Sequence, residues 1–220
     1  MFLGHYGAAL AAKKAAPALP LGTLIMASQL MDLLWPLLLL FHAEHVRIAP
    51  GITAVTPLDF YDYPWSHSLT GSLLLSVLFG GGIYLLSKNP RSSAAGGVLV
   101  FSHWVLDFVT HRPDLPLTFG SGTKVGLGLW NSLPGTIVLE LLVFLAGFAV
   151  YFASVPANRR KGTVEFTSFA AVLAGIYFAS LFGPPPENSL EIAVAGNAAW
   201  IFVIWGYRLD RPRRKKPARL

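Results

Sequence analysis

The chain has 220 residues, of which 54% are hydrophobic and only 13% are charged, and its formal net charge is +6. Its mean hydropathy of +0.55 lies above that of soluble domains, so the composition indicates an integral membrane protein. The chain contains no cysteine, which excludes disulfides and thiolate ligands, so any metal ion must be held by nitrogen and oxygen atoms. We find no nucleic-acid-binding motif.

Apolar segments predict a short N-terminal helix followed by six membrane spans. Residues 2–12 are apolar but too few to cross a bilayer, which needs about 20 residues. The predicted spans are 21–41, 68–86, 94–109, 133–153, 166–182 and about 192–205. We interpret residues 42–66 and 112–132 as loops between spans.

The basic residues predict how the chain is oriented. If both termini are cytoplasmic, all of the 17 Lys and Arg residues lie inside except Arg47, Arg112 and Lys124, as the positive-inside rule requires. An even number of spans agrees with this arrangement. We therefore predict an all-α polytopic membrane helical bundle over residues 1–207. A basic cytoplasmic tail, 208–220, follows it, and we expect this tail to be disordered.

The most informative stretch is 102–111, Ser-His-Trp-Val-Leu-Asp-Phe-Val-Thr-His. His103, Asp107 and His111 follow one another at intervals of four residues, so a helix would place them along one face, one turn apart. Their neighbours are almost all apolar. A buried polar cluster that satisfies its own hydrogen bonds is one interpretation. A metal site is the other, because imidazole and carboxylate groups are common ligands of zinc.

Further polar side chains are predicted to reach the same depth in the membrane. A helical rise of about 1.5 Å per residue places Asp32 near the midplane of the first span. Six groups are thereby predicted to converge in the middle and outer half of the bilayer: His5, Asp32, His67, His103, Asp107 and His111. A lone ionised carboxylate there costs at least about 2.5–3.5 kcal/mol on insertion scales. A divalent cation would offset that cost, so convergence favours the metal site.

The order of these motifs resembles that of a known family. A histidine near the start is followed by an aspartate in the first long span, by Pro64-Trp-Ser-His-Ser-Leu69 and by Ser102-His-x-x-x-Asp-x-x-Thr110. Over residues 1–130 this order resembles the bacterial predicted membrane-bound metal-dependent hydrolases, the YdjM-like inner-membrane proteins. The resemblance implies a metal-dependent hydrolase in the bacterial inner membrane. Two positions depart from the family pattern and bear on the number of metal ions: the acidic turn is reduced to Met31-Asp32-Leu33-Leu34, and His111 is an additional histidine.

The residues allow metal-assisted hydrolysis, in which one or two zinc ions activate water and polarise the scissile bond. The predicted metal ligands are His5, Asp32, His67, His103, Asp107 and His111, with His5 and His111 as alternatives for one position. Asp32 and Asp107 are the predicted catalytic carboxylates, and Asp32 acts either as a further ligand or as the general base. The side chains expected to orient the ligands are Ser66, Ser68, Ser102 and Glu140.

Two classes of function remain open. The first is an intramembrane hydrolase that cleaves an ester, amide or phosphoester bond of a lipid or lipid-linked substrate, reached from the outer leaflet. The second is a transporter or a protein that handles protons or metal ions, because intramembrane His and Asp also build such paths. The sequence shows no inverted repeat and predicts no broken helices in matching halves, which favours the hydrolase. A purely structural polar cluster is the third interpretation.

Overall fold

The computed structural model describes residues 1–120, 122–156 and 163–210, and it is mostly helical, at 69%. The helices are α1 (Leu3–Ala15), α2 (Leu21–Ser28), α3 (Leu30–Leu40), α4 (Pro64–His67), α5 (Leu69–Ser87), α6 (Pro90–Thr110), α7 (Leu133–Ser154), α8 (Thr163–Phe182), α9 (Ser189–Asn197) and α10 (Trp200–Leu209). Two antiparallel strand pairs lie in the connections: β1 (His45–Ile48) with β2 (Leu58–Asp62), and β3 (Leu115–Pro116) with β4 (Lys124–Val125). This content fits the predicted all-α bundle.

Five segments in the described part of the chain are long and apolar enough to cross a membrane, and α2 with α3 makes a sixth if that pair is one span. The five are α5, α6, α7, α8 and the segment formed by α9 and α10. Large apolar side chains such as Leu78, Leu86 and Val164 are exposed on these helices, which suggests a membrane protein. Helix α6 begins at Pro90 rather than at the predicted Ala94, because the Asn89 side chain caps its first turn.

The first predicted span is broken into two helices. Helix α2 ends at Ser28 and α3 begins at Leu30, and the two are bent by 59°. The Ser28 hydroxyl donates to the Ile25 carbonyl oxygen at 3.1 Å, a local bond that often bends helices. The uniform helical rise used to place Asp32 at the midplane therefore does not hold across this break. Helix α2 packs against α10, and α3 packs against α9.

A β-hairpin replaces the loop predicted over residues 42–66. Strand β1 pairs with β2 in antiparallel register, with Arg47 opposite Asp59. The hairpin is rich in β-branched and aromatic residues, which favour strands when one face is buried. Its buried side chains Val46 and Phe60 join an apolar cluster with Trp35 and Trp130. The hairpin thus covers the end of the bundle where α3 ends and α5 begins.

Helix α1 lies inside the bundle and packs most closely against α7. A Cβ atom on Gly7 would lie 2.4 Å from the Val143 carbonyl oxygen, and one on Gly147 would lie 2.1 Å from the Gly7 carbonyl oxygen. The absence of a side chain at both positions lets the two backbones touch. The 13 residues of α1 agree with the predicted short N-terminal helix, and they carry His5 into the interior.

The opposite end of the bundle is joined by one carboxylate. Asp210, just after α10, accepts a hydrogen bond from Lys13 Nζ and another, at 3.1 Å, from the backbone N–H of Leu21. This contact ties the end of α1 to the start of α2 and the end of α10. The predicted basic tail lies outside the described residues from 211 onward, as do Arg159, Arg160 and Lys161, so the predicted tail and its boundary remain predictions.

Candidate metal centre

Asp107, on α6, lies at the centre of a cluster of imidazoles. Its carboxylate is buried, and His103 Nε2 lies 3.0 Å from Oδ2 while His5 Nε2 lies 3.1 Å from Oδ1. His67 Nε2 and His111 Nε2 each lie 3.9 Å from Oδ2. The four-residue spacing on α6 therefore places its polar groups on one face, and two further segments each add a histidine.

The His103 ring is oriented by the break between α2 and α3. Its Nδ1 donates to the Ser28 carbonyl oxygen at 2.7 Å, so a neutral ring has its lone pair on Nε2. In a continuous helix that carbonyl would accept from the N–H four residues later. Among the described residues, His103 Nε2 has no hydrogen-bond partner, yet it faces Asp107 Oδ2 and, at 3.6 Å, Asp32 Oδ1. A buried lone pair that faces two carboxylates fits a bound cation.

The His67 ring is oriented in a similar way, by Ser66 and Glu44. The Ser66 hydroxyl donates to Glu44 Oε2 at 2.6 Å, so its oxygen is free to accept from His67 Nδ1, 2.7 Å away. His67 Nε2 then faces Asp32 Oδ1 at 3.4 Å. Burial raises the pKa of Glu44, and the hydrogen bonds from Ser66 oppose that rise. Metal-binding histidines commonly use their second nitrogen in this manner.

Asp32 faces the same two imidazoles from the first turn of α3, where the helix N-terminus favours a negative charge. Its side chain is 34% exposed, whereas that of Asp107 is 2% exposed. The structure therefore brings both predicted catalytic carboxylates to one place. Of these two carboxylates, Asp32 is the one exposed enough to exchange protons with water in an adjoining cavity.

Glu140, on α7, orients His5 through the backbone of α1. Its two carboxylate oxygens accept the N–H groups of Phe2 and Gly4, each at 2.8 Å, and so satisfy donors that a helix N-terminus leaves without partners. With α1 fixed in this way, the His5 ring stacks on His103, with 3.7 Å between ring centroids. Glu140 was expected to orient a ligand. It binds the backbone of α1 rather than an imidazole nitrogen, and so it fixes the position of that helix.

His111 belongs to the edge of the cluster. Its Nδ1 lies 2.9 Å from Asp114 Oδ1, and that oxygen also accepts the Tyr63 hydroxyl at 3.0 Å. Burial lowers the pKa of His111, which favours the neutral form that binds metals. Asp114 was not predicted. In the sequence, only its position three residues after His111 indicates that Asp114 could contact that ring.

Ser68 and Ser102, which were expected to orient the ligands, make local hydrogen bonds instead. The Ser68 hydroxyl caps α5 by accepting the N–H of Gly71 at 2.9 Å. The Ser102 hydroxyl donates to the Leu99 carbonyl oxygen of its own helix at 2.7 Å. Each serine adjoins a cluster histidine in sequence, but the local backbone takes up its hydrogen bond.

Two overlapping groups of ligand atoms are close enough to hold a metal ion, since the atoms within each group lie within 4.8 Å of one another. These groups are His5 with His103 and Asp107, and Asp32 with His67 and His103. Five of the six predicted ligands are thus brought together. His111 belongs to neither group, although it lies beside Asp107.

The carboxylates of this cluster have few neutralising partners. In the described ranges, neither Asp32 nor Asp107 pairs with a Lys or Arg side chain, and the nearest cation to Asp107 is the amino nitrogen of Met1, 2.5 Å from Oδ1. Burying a charge without compensation is costly. The nitrogen and oxygen donor set fits a divalent ion such as zinc.

A cavity of about 200 Å³ reaches the cluster from the hairpin end. Its polar wall includes Asp32, His67 and Asp107, and its apolar wall includes Trp35, Phe60 and Trp130. A small molecule therefore has a route to the buried groups.

No family model, curated protein or solved structure matches the chain. The resemblance to the YdjM-like proteins consequently remains a prediction.

Proposed function

We propose that the protein is a metal-dependent hydrolase whose zinc ion would be held by His67, His103 and Asp107. The observation that carries this proposal is the arrangement of the first two rings. Each uses Nδ1 in a hydrogen bond outside the cluster, and each turns Nε2 toward Asp32 and Asp107. Protein ligands with satisfied second nitrogens, together with a position left for water or substrate, are typical of catalytic zinc sites.

The roles of the chain's own residues follow from their exposure. Bound zinc would supply a Lewis acid and an activated water. Asp32, which lines the cavity, would accept the proton of that water as the general base. His5 would hold Asp107 through Oδ1, and His111 would limit the movement of the same carboxylate from the other side. We favour one ion because both candidate ligand groups use His103.

We further propose that the enzyme spans the bacterial inner membrane with both termini in the cytoplasm. The distribution of Lys and Arg and the resemblance to YdjM-like proteins support this placement. The cavity would then open toward the outer side, where the hairpin lies. A lipid or lipid-linked molecule in the outer leaflet is the substrate that we propose.

The bent pair α2–α3 supports a second candidate, a protein that moves protons or metal ions. Broken spans with polar groups at the break are a feature of transporters, and Asp32 follows the 59° bend directly. Zinc or proton flux into liposomes, without cleavage of any lipid, would favour this candidate over the hydrolase.

The first test is the metal content of detergent-purified protein, measured by elemental mass spectrometry. We expect about one equivalent of zinc in the wild type and a loss of that zinc in His103→Ala and Asp107→Ala. Cleavage of ester, amide and phosphoester lipids by the zinc-loaded protein is then measured. A well-folded wild type that binds no supplied zinc would exclude the proposed enzyme.

A further inference from the structure

Two buried side chains at the cavity have hydrogen-bond donors that are not used. Trp35 Nε1 and the Tyr177 hydroxyl have no hydrogen-bond partner within the described ranges, although both residues are more than nine-tenths buried. Both residues line the cavity that reaches the cluster. A buried donor without a partner is uncommon and costly, so we expect these two donors to bind an acceptor that enters the cavity.

Trp35 lies beside the proposed metal centre. It follows Asp32 by three residues on α3, so the two side chains share one face of that helix. Its ring meets the His67 ring edge to face, with 6.4 Å between centroids and 84° between planes. The Phe60 ring contacts the indole as well, with 5.3 Å between centroids. The indole is therefore held next to the proposed general base and to one of the proposed zinc ligands.

Tyr177, on α8, is held by the start of α1. Its ring stacks on Phe2, with 6.3 Å between centroids and 3° between planes. The N–H of Phe2 donates to Glu140 Oε1 at 2.8 Å, and Glu140 lines the same cavity. The contact that fixes α1 beside the cluster thus also fixes the Tyr177 ring, and the two unused donors come from different helices.

The charges of the cavity wall do not select between an uncharged and an anionic ligand, because the wall carries both signs. It is lined by Asp32, Asp107 and Glu140, and also by Met1, whose amino group lies 2.5 Å from Asp107 Oδ1. The two neutral donors nevertheless favour a ligand with oxygen acceptors. The cavity volume of about 200 Å³ is below the range of about 300–1,000 Å³ for pockets that enclose a whole drug-sized ligand. Only the reacting end of a lipid-sized molecule would therefore fit.

We propose that Trp35 and Tyr177 are substrate-binding residues whose donors hydrogen-bond to oxygen atoms of the reacting acyl or phosphoryl group. This inference rests on the proposed hydrolase function and adds two residues to its site. Zinc would bind to imidazole and carboxylate atoms of the cluster, and both donors are outside that ligand set. Loss of either donor should therefore weaken ligand binding and leave zinc binding unchanged.

Binding of small oxygen ligands to the zinc-loaded protein tests the inference. Acetohydroxamate carries an acyl oxygen and inorganic phosphate carries phosphoryl oxygens, and isothermal titration calorimetry measures the Kd of each. We expect Trp35→Phe and Tyr177→Phe each to raise the Kd of at least one probe about three- to tenfold, as is usual for the loss of one neutral hydrogen bond. The probe that responds identifies the reacting group. Zinc content, measured by elemental mass spectrometry, should stay at the wild-type value.

Trp104→Phe is the matched control. Trp104 Nε1 also has no partner in the described part of the chain, and the residue is buried, but it does not line the cavity. This variant should leave both Kd values unchanged. Tyr177→Phe keeps the ring that stacks on Phe2, so it tests the inference even if Trp35→Phe does not fold.

Three outcomes would overturn the inference and leave the metal centre in place. They are unchanged Kd values in Tyr177→Phe, an equal rise of the Kd in Trp104→Phe, and a zinc-loaded wild type that binds neither probe. A folded wild type that takes up no zinc would instead remove the underlying function.

Discussion

Carboxylates meet basic side chains both in the hairpin region and in the buried cluster, and these two regions differ in how the carboxylate charge is neutralised. In the hairpin region, Asp59 binds both Arg47 and Arg112, and Asp62 binds His45 at 2.7 Å. In the buried cluster, Asp32 and Asp107 meet imidazoles, and no Lys or Arg side chain in the described part of the chain pairs with either. The hairpin is thus an ion-pair network of side chains, whereas the cation nearest to Asp107 in the cluster is the Met1 amino group, 2.5 Å from Oδ1. The same residue types therefore stabilise structure in one region and form a candidate binding site in the other.

The largest expected effect comes from removing the charge at the centre of the cluster. Asp107→Asn keeps the shape of the side chain but removes a ligand that faces all four histidines, so we expect the bound zinc to be lost. Asp62→Asn, the same change in the hairpin, should leave the zinc content at the wild-type value. Elemental mass spectrometry measures both variants, and size-exclusion chromatography checks their folding. Equal zinc in the two variants would remove the distinction between the regions.

A smaller effect is expected from the hydroxyl that orients His67. Ser66→Ala removes the acceptor of His67 Nδ1 and should weaken zinc binding about 10–100-fold, as is usual for the partners of metal-binding histidines. Ser102→Ala is the matched control, because that serine also precedes a cluster histidine but bonds to its own helix. Competition with a fluorescent chelator measures both affinities. If the two alanine variants bind equally well, the Glu44–Ser66–His67 chain has no role in the site.

The two regions should lose different amounts of stability on charge removal when zinc is absent. Asp59→Asn breaks contacts with two arginines and should lower the free energy of unfolding by about 1 kcal/mol. Asp32→Asn breaks only contacts with imidazoles, at 3.4 and 3.6 Å, and should lower it by less. Thermal unfolding in detergent, with a chelator present, measures both changes. An equal or larger decrease for Asp32→Asn would show that ion pairs already neutralise the cluster without metal.

The smallest effect is expected at the exposed edge of the hairpin. The Arg47 side chain is 65% exposed, and surface ion pairs contribute between about 0 and 1 kcal/mol. Arg47→Ala should therefore lower stability by less than about 1 kcal/mol, and added salt should reduce the difference further. Zinc content should not change. A loss of zinc in this variant would mean that the hairpin network supports the metal centre.

The sequence predicts those features of the site that follow from helical spacing. His103 and Asp107 share a face because they are one turn apart on α6. The approach of His5, Asp32 and His67 was predicted from their estimated depth in the membrane, and the bend after Ser28 removes that basis for Asp32. In contrast, Glu44 was assigned to a loop, and nothing in the sequence connects it to Ser66, which lies more than twenty positions away.

Local hydrogen bonds account for the remaining errors. A serine beside a histidine can bond either to the ring or to its own backbone, and only the three-dimensional structure separates Ser66 from Ser68 and Ser102. The break after Ser28 contains no glycine and no proline, so the apolar pattern predicted a continuous span. Its stability depends on His103, which is distant in sequence.

That dependence has a consequence for how the protein is assembled as it is synthesised. The Ser28 carbonyl can either continue its own helix or accept from His103, and His103 is translated only after 74 further residues separate the two positions. The first apolar segment therefore enters the bilayer without the partner that favours its bend, and in that interval an uninterrupted helix satisfies its backbone best. We therefore expect α6 to allow this segment to bend when it arrives, so that the candidate metal centre is completed by a late rearrangement of the earliest span.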